Sequence, residues 1–379
     1  MTILLRRSPA KASFELPTRA PLELHRRLPS YEPSPLRTAG ALARRLGVSI
    51  VWVKDESLRL GLPSFKILGA SWGVYRALEA RFGPFDSWQA VDDLASQLAR
   101  RAPLGLAAAT DGNHGRAVAR MARLLGLQAR IFVPKGTARA RIEAIRSEGA
   151  RCDVVDGSYD HAVARSAEEE GERCLVISDT SWPGYEDVPS WVIEGYSTIF
   201  WEISDELARR REPEPDAVVV PVGVGALGAA AARHYRQRGA TRPALVAVEP
   251  IGAACVLASV KAGERVTIPG PHDSIMAGLN CGTPSIVAWP DVSRAYDLYI
   301  AIEDDSARDA MRALAQEGIV AGETGAAGVG ALLEIMEHPE ADETRSHLGV
   351  SRDSRILVLC TEGATDPQAY EEIVGRPPE

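Results

Sequence analysis

Residues 104–125 read LGLAAATDGNHGRAVARMARLL, which joins three local patterns in succession. The apolar run from Leu104 to Ala109 has the length and composition of a buried strand. Thr110 to Gly115 is polar and glycine-containing, which is typical of a loop. Apolar side chains then recur at helical spacing from His114 to Leu125. A strand, a loop and a helix in this order predict one βα unit of a parallel sheet.

The same alternation continues on both sides of this stretch. Strands are predicted at 49–54, 129–133, 152–155, 175–178, 217–222, 245–249 and 355–360, and helices at 65–81, 138–148 and 159–170. The last strand is a continuous apolar run, which suits a strand buried on both faces. The predicted fold class is therefore α/β, with parallel-rich sheets flanked by helices.

The length of the chain predicts two domains. Its 379 residues exceed the roughly 250 at which a single hydrophobic core tends to divide. We expect a large domain at residues 1–84 and 186–379, with a smaller α/β domain inserted at residues 85–185. Residues 1–40 are rich in proline and arginine and are predicted to form an irregular arm.

Composition excludes several classes of partner. The net charge of -8 argues against nucleic acid, which selects a clustered basic face. No stretch of about 18 apolar residues exists, so no membrane span is expected. The five cysteines are odd in number and lack the Cys-x-x-Cys spacing of metal sites. Together these features predict a cytoplasmic protein without a structural metal.

Lys66 is the strongest candidate nucleophile. It follows Ser64 and Phe65 at the start of a predicted helix and precedes the apolar pair Ile67 and Leu68. A lysine amine becomes a useful nucleophile when desolvation or a nearby cation lowers its pKa. Most lysines are instead solvated on helix surfaces. The case for Lys66 therefore depends on the loops around Asn113 and after residue 222.

A glycine-rich loop, Gly223-Val224-Gly225-Ala226-Leu227-Gly228, follows the predicted strand 217–222 and opens an alanine-rich helix. Glycines allow backbone N–H groups to converge on a phosphate at a helix N-terminus. The loop also matches a dinucleotide fingerprint, and Glu249 stands where that fingerprint expects an acidic residue. A plain strand-to-helix turn is a third interpretation. The dinucleotide interpretation leaves Lys66 and Asn113 without a role.

A set of motifs stands in a fixed order between residue 38 and residue 367. They are Lys54-Asp55-Glu56-Ser57, Ser64-Phe65-Lys66-Ile67-Leu68-Gly69-Ala70, Thr110-Asp111-Gly112-Asn113-His114-Gly115-Arg116, Val133-Pro134-Lys135-Gly136, Asp179-Thr180-Ser181-Trp182, Glu194-Gly195-Tyr196, Ile275-Met276-Ala277-Gly278-Leu279, Gly322-Glu323-Thr324-Gly325 and Thr361-Glu362-Gly363. With these motifs the chain resembles the fold-type II pyridoxal-phosphate enzymes, which include threonine dehydratase and cysteine synthase. Asp111 and the segment 179–182 make it most similar to the diaminopropionate ammonia-lyases.

The resemblance implies pyridoxal 5′-phosphate as the cofactor. Lys66 would hold it, with Phe65 alongside, and Asn113 would bond its 3′-hydroxyl. Residues 223–228 would bind its phosphate.

Two more residues are implied to face the cofactor. Thr361 would offer a hydroxyl to the pyridine nitrogen, and a neutral partner there makes the ring a weaker electron sink. Glu323 would position the cofactor's edge, although a structural bond to the backbone is equally consistent with the sequence.

The implied reaction is elimination of ammonia from 2,3-diaminopropionate, giving pyruvate and ammonia. Lys66 would act as the base on one face of the α-carbon and Asp111 on the other. Asp179 would bind or deprotonate the second amine of the substrate. Asp111 could instead be a turn residue, and Asp179 could cap a loop.

Other functions stay open from sequence alone. A serine/threonine dehydratase or a β-replacement synthase would keep the cofactor and change the substrate. A protein that kept the fold but lost catalysis would have no need of Lys66. A small amino-acid substrate is expected, and a homodimer is implied by the resemblance only. Lys54 and Asp55 are expected to pair with each other near the site.

Overall fold

A computed structural model describes residues 2–5, 14, 16–101, 103–110, 112–237 and 243–378. The chain forms two compact units, each with its own sheet. The seven-strand unit contains Met1–Pro17, Pro33–Leu58 and Ile199–Glu379. The four-strand unit contains Thr18–Glu32 and Arg59–Thr198. Among the described residues, no helix has the length and apolar character needed to cross a membrane.

Strands and helices alternate through most of the chain. The strands are β1 (Thr2–Leu5), β2 (Leu36–Thr38), β3 (Ile50–Asp55), β4 (Gly105–Ala109), β5 (Gln128–Pro134), β6 (Arg151–Val155), β7 (Cys174–Val176), β8 (Ala217–Pro221), β9 (Ala244–Pro250), β10 (Leu298–Ile302) and β11 (Arg355–Cys360). The helices are α1 (Ala20–His25), α2 (Gly40–Leu46), α3 (Lys66–Phe82), α4 (Val91–Leu98), α5 (Asn113–Leu124), α6 (Arg139–Ser147), α7 (Tyr159–Ala167), α8 (Asp187–Arg210), α9 (Ala226–Tyr235), α10 (Cys255–Ala262), α11 (Trp289–Ala295), α12 (Asp304–Gln316), α13 (Glu323–Glu337), α14 (Asp342–Leu348) and α15 (Pro367–Val374).

The sheet of the seven-strand unit has the order β1-β10-β9-β8-β11-β3-β2. Its five inner strands are parallel, whereas the edge strands β1 and β2 run antiparallel to their neighbours. Strands β8 and β11 are buried on both faces, apart from the first residue of β11. Double burial explains why they consist of continuous apolar residues. Helices α2, α12 and α13 contribute side chains to the same core.

The sheet of the four-strand unit has the order β6-β5-β4-β7, and all of its strands are parallel. Its core includes Ala107 and Ala109 of β4, Phe132 of β5 and Ala162 of α7. Helix α5 packs on β4 and β5, and also contacts α3. Because β4 and β7 pair in parallel, their carboxyl ends lie side by side. Loops that follow neighbouring parallel strands meet at one edge of a sheet.

The predicted α/β class with parallel-rich sheets and flanking helices is confirmed. The irregular arm predicted for residues 1–40 is wrong within the described residues, because β1, α1 and β2 lie there. Both strands are short edge strands that depend on pairing with β10 and β3. Pairing partners distant in sequence leave no local signal in a stretch rich in proline and arginine.

The predicted domain boundaries near residues 84 and 185 stay a prediction. The compact units divide the chain at other positions. Helix α3 belongs to the four-strand unit because it packs against α5 and α1.

Candidate active site

Lys66 is the first residue of α3, and Phe65 occupies the N-cap position. The start of α3 lies directly against α8 at two glycines. A Cβ atom at Gly69 would lie 2.5 Å from the Tyr196 ring, and one at Gly195 would lie 2.5 Å from the Leu68 carbonyl oxygen. Only glycine allows this close approach. The contact fixes the start of α3 against α8.

Asp179 is the direct partner of Lys66. The Lys66 Nζ donates to Asp179 Oδ2 at 2.6 Å, and the Tyr159 hydroxyl donates to Oδ1 at 3.2 Å. The Asp179 side chain is 7% exposed, and that of Lys66 is 20% exposed. Burial acts to raise the pKa of Asp179, but the Lys66 ammonium holds it far below its usual range. The carboxylate is therefore charged at any physiological pH.

His114 lies behind this pair. Its Nε2 donates to the Ile177 carbonyl at 2.8 Å, which leaves Nδ1 as the unprotonated nitrogen of the neutral ring. Nδ1 lies 4.0 Å from Asp179 Oδ2 and makes no hydrogen bond to a described residue. Burial lowers the pKa of His114, and the Lys66 charge acts in the same direction. The imidazole is thus neutral at pH 7, so Asp179 forms its ion pair with Lys66 and not with His114.

Asn113 begins α5, directly after Gly112. Gly112 has a φ of +148° and its N–H donates to the Thr110 hydroxyl at 2.8 Å. A side chain is rarely accepted at such a φ, so glycine makes this turn possible. Asp111, the predicted second base, lies outside the described residues.

Phe65 packs on the partner helix of α3. Its ring centroid lies 4.7 Å from that of Tyr196, and the Lys66 Nζ lies 5.5 Å from the Phe65 centroid. Burial raises the pKa of the Tyr196 phenol, whereas the Lys66 charge lowers it. Two buried rings therefore border the Lys66 amine and limit its contact with water.

The glycine loop of the seven-strand unit connects β8 to α9. Gly225 is the N-cap of α9 and has a φ of +105°. A Cβ atom there would lie 3.1 Å from the Ala288 Cβ. At Gly223 a Cβ would lie 3.1 Å from Cys281 Sγ and 3.3 Å from the Gly278 carbonyl oxygen. The loop has both the backbone conformation and the close packing that only glycine permits, as expected of a phosphate-binding turn.

Thr361 directly follows β11, the strand next to β8. Its hydroxyl is buried and donates to the Thr324 carbonyl at 3.4 Å. Glu323 is buried at the first position of α13. Thr361 and the glycine loop therefore follow the carboxyl ends of adjacent strands, where open parallel sheets bind ligands.

Glu249 has a structural role that accounts for the acid at this position. It is fully buried, and its two carboxylate oxygens accept from the Val256 and Leu257 N–H groups at 2.7 and 2.8 Å. Burial raises the pKa of Glu249 to about 8. The carboxyl group caps the first turn of α10, so the dinucleotide interpretation loses the acidic residue that supported it.

The expected pair between Lys54 and Asp55 is wrong. Lys54 Nζ donates to Glu202 Oε2 at 2.7 Å, and Asp55 Oδ2 accepts from Arg37 Nε at 2.7 Å. Consecutive residues of strand β3 point to opposite faces of the sheet, which separates their side chains.

The structure thus brings Lys66, Phe65 and Asp179 together in the four-strand unit. It places the glycine loop, Thr361 and Glu323 in the seven-strand unit. Tyr159 and the contact of Lys66 with Tyr196 were not predicted. Tyr159 lies on α7, and no sequence motif links that helix to Asp179. Among the described residues, no group of three or more His, Cys, Asp or Glu could hold a metal ion.

Comparison with known proteins shows the family of this chain. Residues 28–360 match the family described as pyridoxal-phosphate dependent enzyme. The chain belongs to that family.

Within this family, the chain is similar to diaminopropionate ammonia-lyases. This chain is 35% identical over 373 residues to the diaminopropionate ammonia-lyase of Salmonella typhimurium. The match covers 93% of this chain and 90% of that protein. The structure of this chain is similar to that of diaminopropionate ammonia lyase from Escherichia coli in complex with D-serine. The TM-score is 0.89 and the identity 31%, over 98% of this chain and 96% of the other. The same enzyme with an aminoacrylate-PLP azomethine reaction intermediate gives a TM-score of 0.86 at 30% identity, with the same coverage. The predicted family and cofactor are confirmed.

The residues present fit this cofactor. Its aldehyde requires an amine, and Lys66 presents one that is partly shielded from water. Its phosphate requires converging N–H groups, and Gly225 supplies the positive-φ turn before α9.

Proposed function

We propose that this enzyme eliminates ammonia from 2,3-diaminopropionate, giving pyruvate and ammonia. The observation that carries the proposal is the buried, charged Asp179 bonded to Lys66 at 2.6 Å. The similarity to diaminopropionate ammonia-lyases over 93% of the chain supports the choice of substrate. The reaction class is a carbon–nitrogen lyase acting on a small amino acid.

Lys66 would hold the cofactor and would also act as a base. Bound pyridoxal phosphate would supply an electron sink for the bond to the α-proton of the substrate. The Lys66 amine would accept that proton. Phe65 and Tyr196 border the amine and limit its contact with water.

Asp179 binds the second amine of the substrate. Its negative charge attracts the β-ammonium, and the Tyr159 hydroxyl holds the carboxylate in place at 3.2 Å. A carboxylate beside the β-amine keeps that amine protonated, so that it leaves as neutral ammonia. A serine or threonine hydroxyl gains less from this charge, which favours diaminopropionate as the substrate.

Asp111 is proposed to serve the opposite face of the α-carbon, so that both enantiomers react. Asp111→Asn should then slow one enantiomer far more than the other. Keto acid release from separate D and L samples tests this role, and equal slowing of both would remove it.

The remaining contacts with the cofactor are proposed as follows. Asn113 bonds the 3′-hydroxyl, residues 223–228 bind the phosphate, Thr361 faces the pyridine nitrogen and Glu323 positions the ring edge. The buried hydroxyl of Thr361 and the N-terminal position of Glu323 on α13 support these roles.

Purified enzyme should be incubated with 2,3-diaminopropionate, serine and threonine in separate reactions. Pyruvate and 2-oxobutyrate are measured with coupled reduction, and ammonia is measured in parallel. We expect two ammonia molecules per pyruvate from diaminopropionate, and slower release from the hydroxy amino acids. Pyruvate from serine with none from diaminopropionate would reject the proposed substrate and favour a dehydratase.

We also propose that the enzyme is a cytoplasmic homodimer with domain boundaries near residues 84 and 185. Light scattering of the holoenzyme tests the oligomeric state, because a dimer has twice the mass of the 40.7 kDa chain.

A further inference from the structure

The four-strand unit contains a cavity of about 960 Å³ at the amino-terminal edge of its sheet. The first residues of all four strands line it, namely Gly105, Gln128, Arg151 and Cys174. Asp179 and Asn113 follow the carboxyl ends of β7 and β4 instead. The cavity therefore lies at the other edge of this sheet from the candidate active site, and the proposed reaction makes no use of it.

Four arginines line the cavity: Arg101, Arg130, Arg151 and Arg173. This concentration of positive charge is unusual in a chain with a net charge of -8. The one carboxylate among the lining residues is that of Glu169. Clustered guanidinium groups in a concave site attract anions and bind phosphate or carboxylate through paired hydrogen bonds.

Two of these arginines already form ion pairs with carboxylates of the protein. Arg130 bonds Asp153 at 2.7 Å and Glu169 at 2.8 Å, while Arg151 bonds Asp153 at 3.0 Å. Their charges are balanced within the protein, so they contribute little further attraction for a ligand.

Neither Arg101 nor Arg173 forms an ion pair with a carboxylate of the described residues. Arg101 donates to the Phe82 carbonyl at 3.2 Å and lies over the Phe82 ring, but no described carboxylate pairs with it. The Arg173 side chain has no hydrogen bond or ion pair within the described residues. Two uncompensated positive charges at one cavity match a ligand group that carries two negative charges.

The inner wall of the cavity is apolar. Leu98, Leu104, Leu106 and Leu125 line it, and each is at most 8% exposed. An aromatic or aliphatic body in the cavity packs against this wall through van der Waals contacts that a simple inorganic anion cannot make.

We propose that this cavity is a binding site for a phosphate monoester with an apolar body. Arg101 and Arg173 bind the phosphate, and the leucine wall binds the organic part. Because the bound ligand stabilises the folded form, it also raises the stability of the enzyme.

Isothermal titration of the holoenzyme tests this site with three probes: phenyl phosphate, inorganic phosphate and benzyl alcohol. We expect phenyl phosphate to bind at least about tenfold more tightly than either of the others. Inorganic phosphate lacks the apolar body, and benzyl alcohol lacks the phosphate. Inorganic phosphate binding as tightly as phenyl phosphate would contradict a role for the leucine wall. Absence of phenyl phosphate binding would reject the site.

Arginine variants locate the binding. Arg101→Gln and Arg173→Gln should each weaken phenyl phosphate binding, and the double variant should lose about tenfold or more. Arg100→Gln is the matched control, because Arg100 is an equally exposed neighbour that does not line the cavity. An unchanged dissociation constant in the double variant would overturn the proposal.

Cofactor absorbance is recorded during the same titration. It should stay constant, because the proposed site does not involve the cofactor. Loss of that absorbance in step with binding would assign phenyl phosphate to the cofactor site and reject the cavity. This readout is independent of the substrate, so failure of the proposed lyase activity leaves the test intact.

Discussion

At the scale of single residues, the chemistry centres on Lys66 and its buried counter-charge Asp179. The ion pair explains how a polar amine is tolerated beside the Phe65 and Tyr196 rings, because burial of an unpaired charge is costly. The sequence indicated Lys66 and Asp179 through their motifs. It could not indicate Tyr159, since only folding brings α7 next to Asp179.

Replacing Lys66 should remove both the cofactor attachment and the base. We expect Lys66→Ala to lower kcat by about 10³-fold or more, the usual range for loss of a general base. The visible absorbance of the attached cofactor should disappear in the same variant. Lys261→Ala is the control, because Lys261 is an exposed lysine near the end of α10. A retained absorbance band in Lys66→Ala would show that another amine holds the cofactor.

Glu249 gives a prediction for pH. Burial raises its pKa to about 8 from an ordinary value of 4.5, so the folded state binds more protons than the unfolded state between these values. The contribution of Glu249 to stability should therefore be greatest below pH 4.5 and should decrease as the pH rises to 8. The slope is at most about 1.4 kcal/mol per pH unit.

Urea unfolding from pH 5 to pH 8 measures this effect. Glu249→Gln keeps an oxygen acceptor for the α10 N–H groups but does not titrate, so its stability relative to wild type should improve as the pH rises. Glu264→Gln removes an exposed carboxylate near the same helix and should show no such trend. Parallel curves for wild type and Glu249→Gln would show that Glu249 keeps one protonation state in both the folded and the unfolded chain.

At the scale of elements, the strand-to-helix turns carry the binding groups. Buried parallel strands consist of apolar runs, and the sequence predicts β3, β8, β9 and β11 to within one or two residues. It misses β10 (Leu298–Ile302), although that strand is also inside the sheet. It also misses the short edge strands β1 and β2, because they depend on partners distant in sequence. The alternation of side chains along β3 also separated Lys54 from Asp55, which adjacency in sequence had suggested.

The turn before α9 should be intolerant of side chains. Gly225→Ala places a Cβ at a φ of +105° and 3.1 Å from the Ala288 Cβ. We expect it to weaken cofactor binding and to cost about 1–3 kcal/mol in stability. Equilibrium dialysis of the cofactor and urea unfolding measure the two effects.

Gly263→Ala separates backbone strain from crowding at the phosphate turn. Gly263 has a φ of +79° at the end of α10, and a Cβ there meets nothing within 4 Å. It should cost about 1 kcal/mol in stability and leave cofactor affinity unchanged. Equal cofactor affinity in Gly225→Ala and wild type would contradict the assignment of the loop to phosphate binding.

At the scale of the whole molecule, cofactor binding is linked to the stability of the folded chain. A ligand that binds only the folded chain stabilises that chain by mass action. Cofactor content should therefore control global stability.

Removal of the cofactor should lower the thermal unfolding midpoint, and adding it back should restore the midpoint. A free cofactor concentration of 100 times Kd adds about 2.7 kcal/mol to the free energy of unfolding. Pyridoxal without phosphate is the matched probe and should stabilise less, because it leaves the glycine loop without a ligand. Scanning calorimetry measures both. Equal stabilisation by the two compounds would exclude a phosphate contribution.

The sequence alone determined the family and the cofactor through a resemblance carried by its motifs. It also determined the α/β class, the helix that begins near Lys66 and the glycine turn. The class, the helix and the turn are local properties, because apolar runs, helical spacing and glycine turns are encoded by neighbouring residues. Only the tertiary structure decided which charges meet. In the folded chain Lys66 and Tyr159 both bond Asp179, and Lys54 bonds Glu202. Glu249 caps α10. Such pairings depend on distances between elements far apart in the chain, which folding sets through the packing of whole strands and helices.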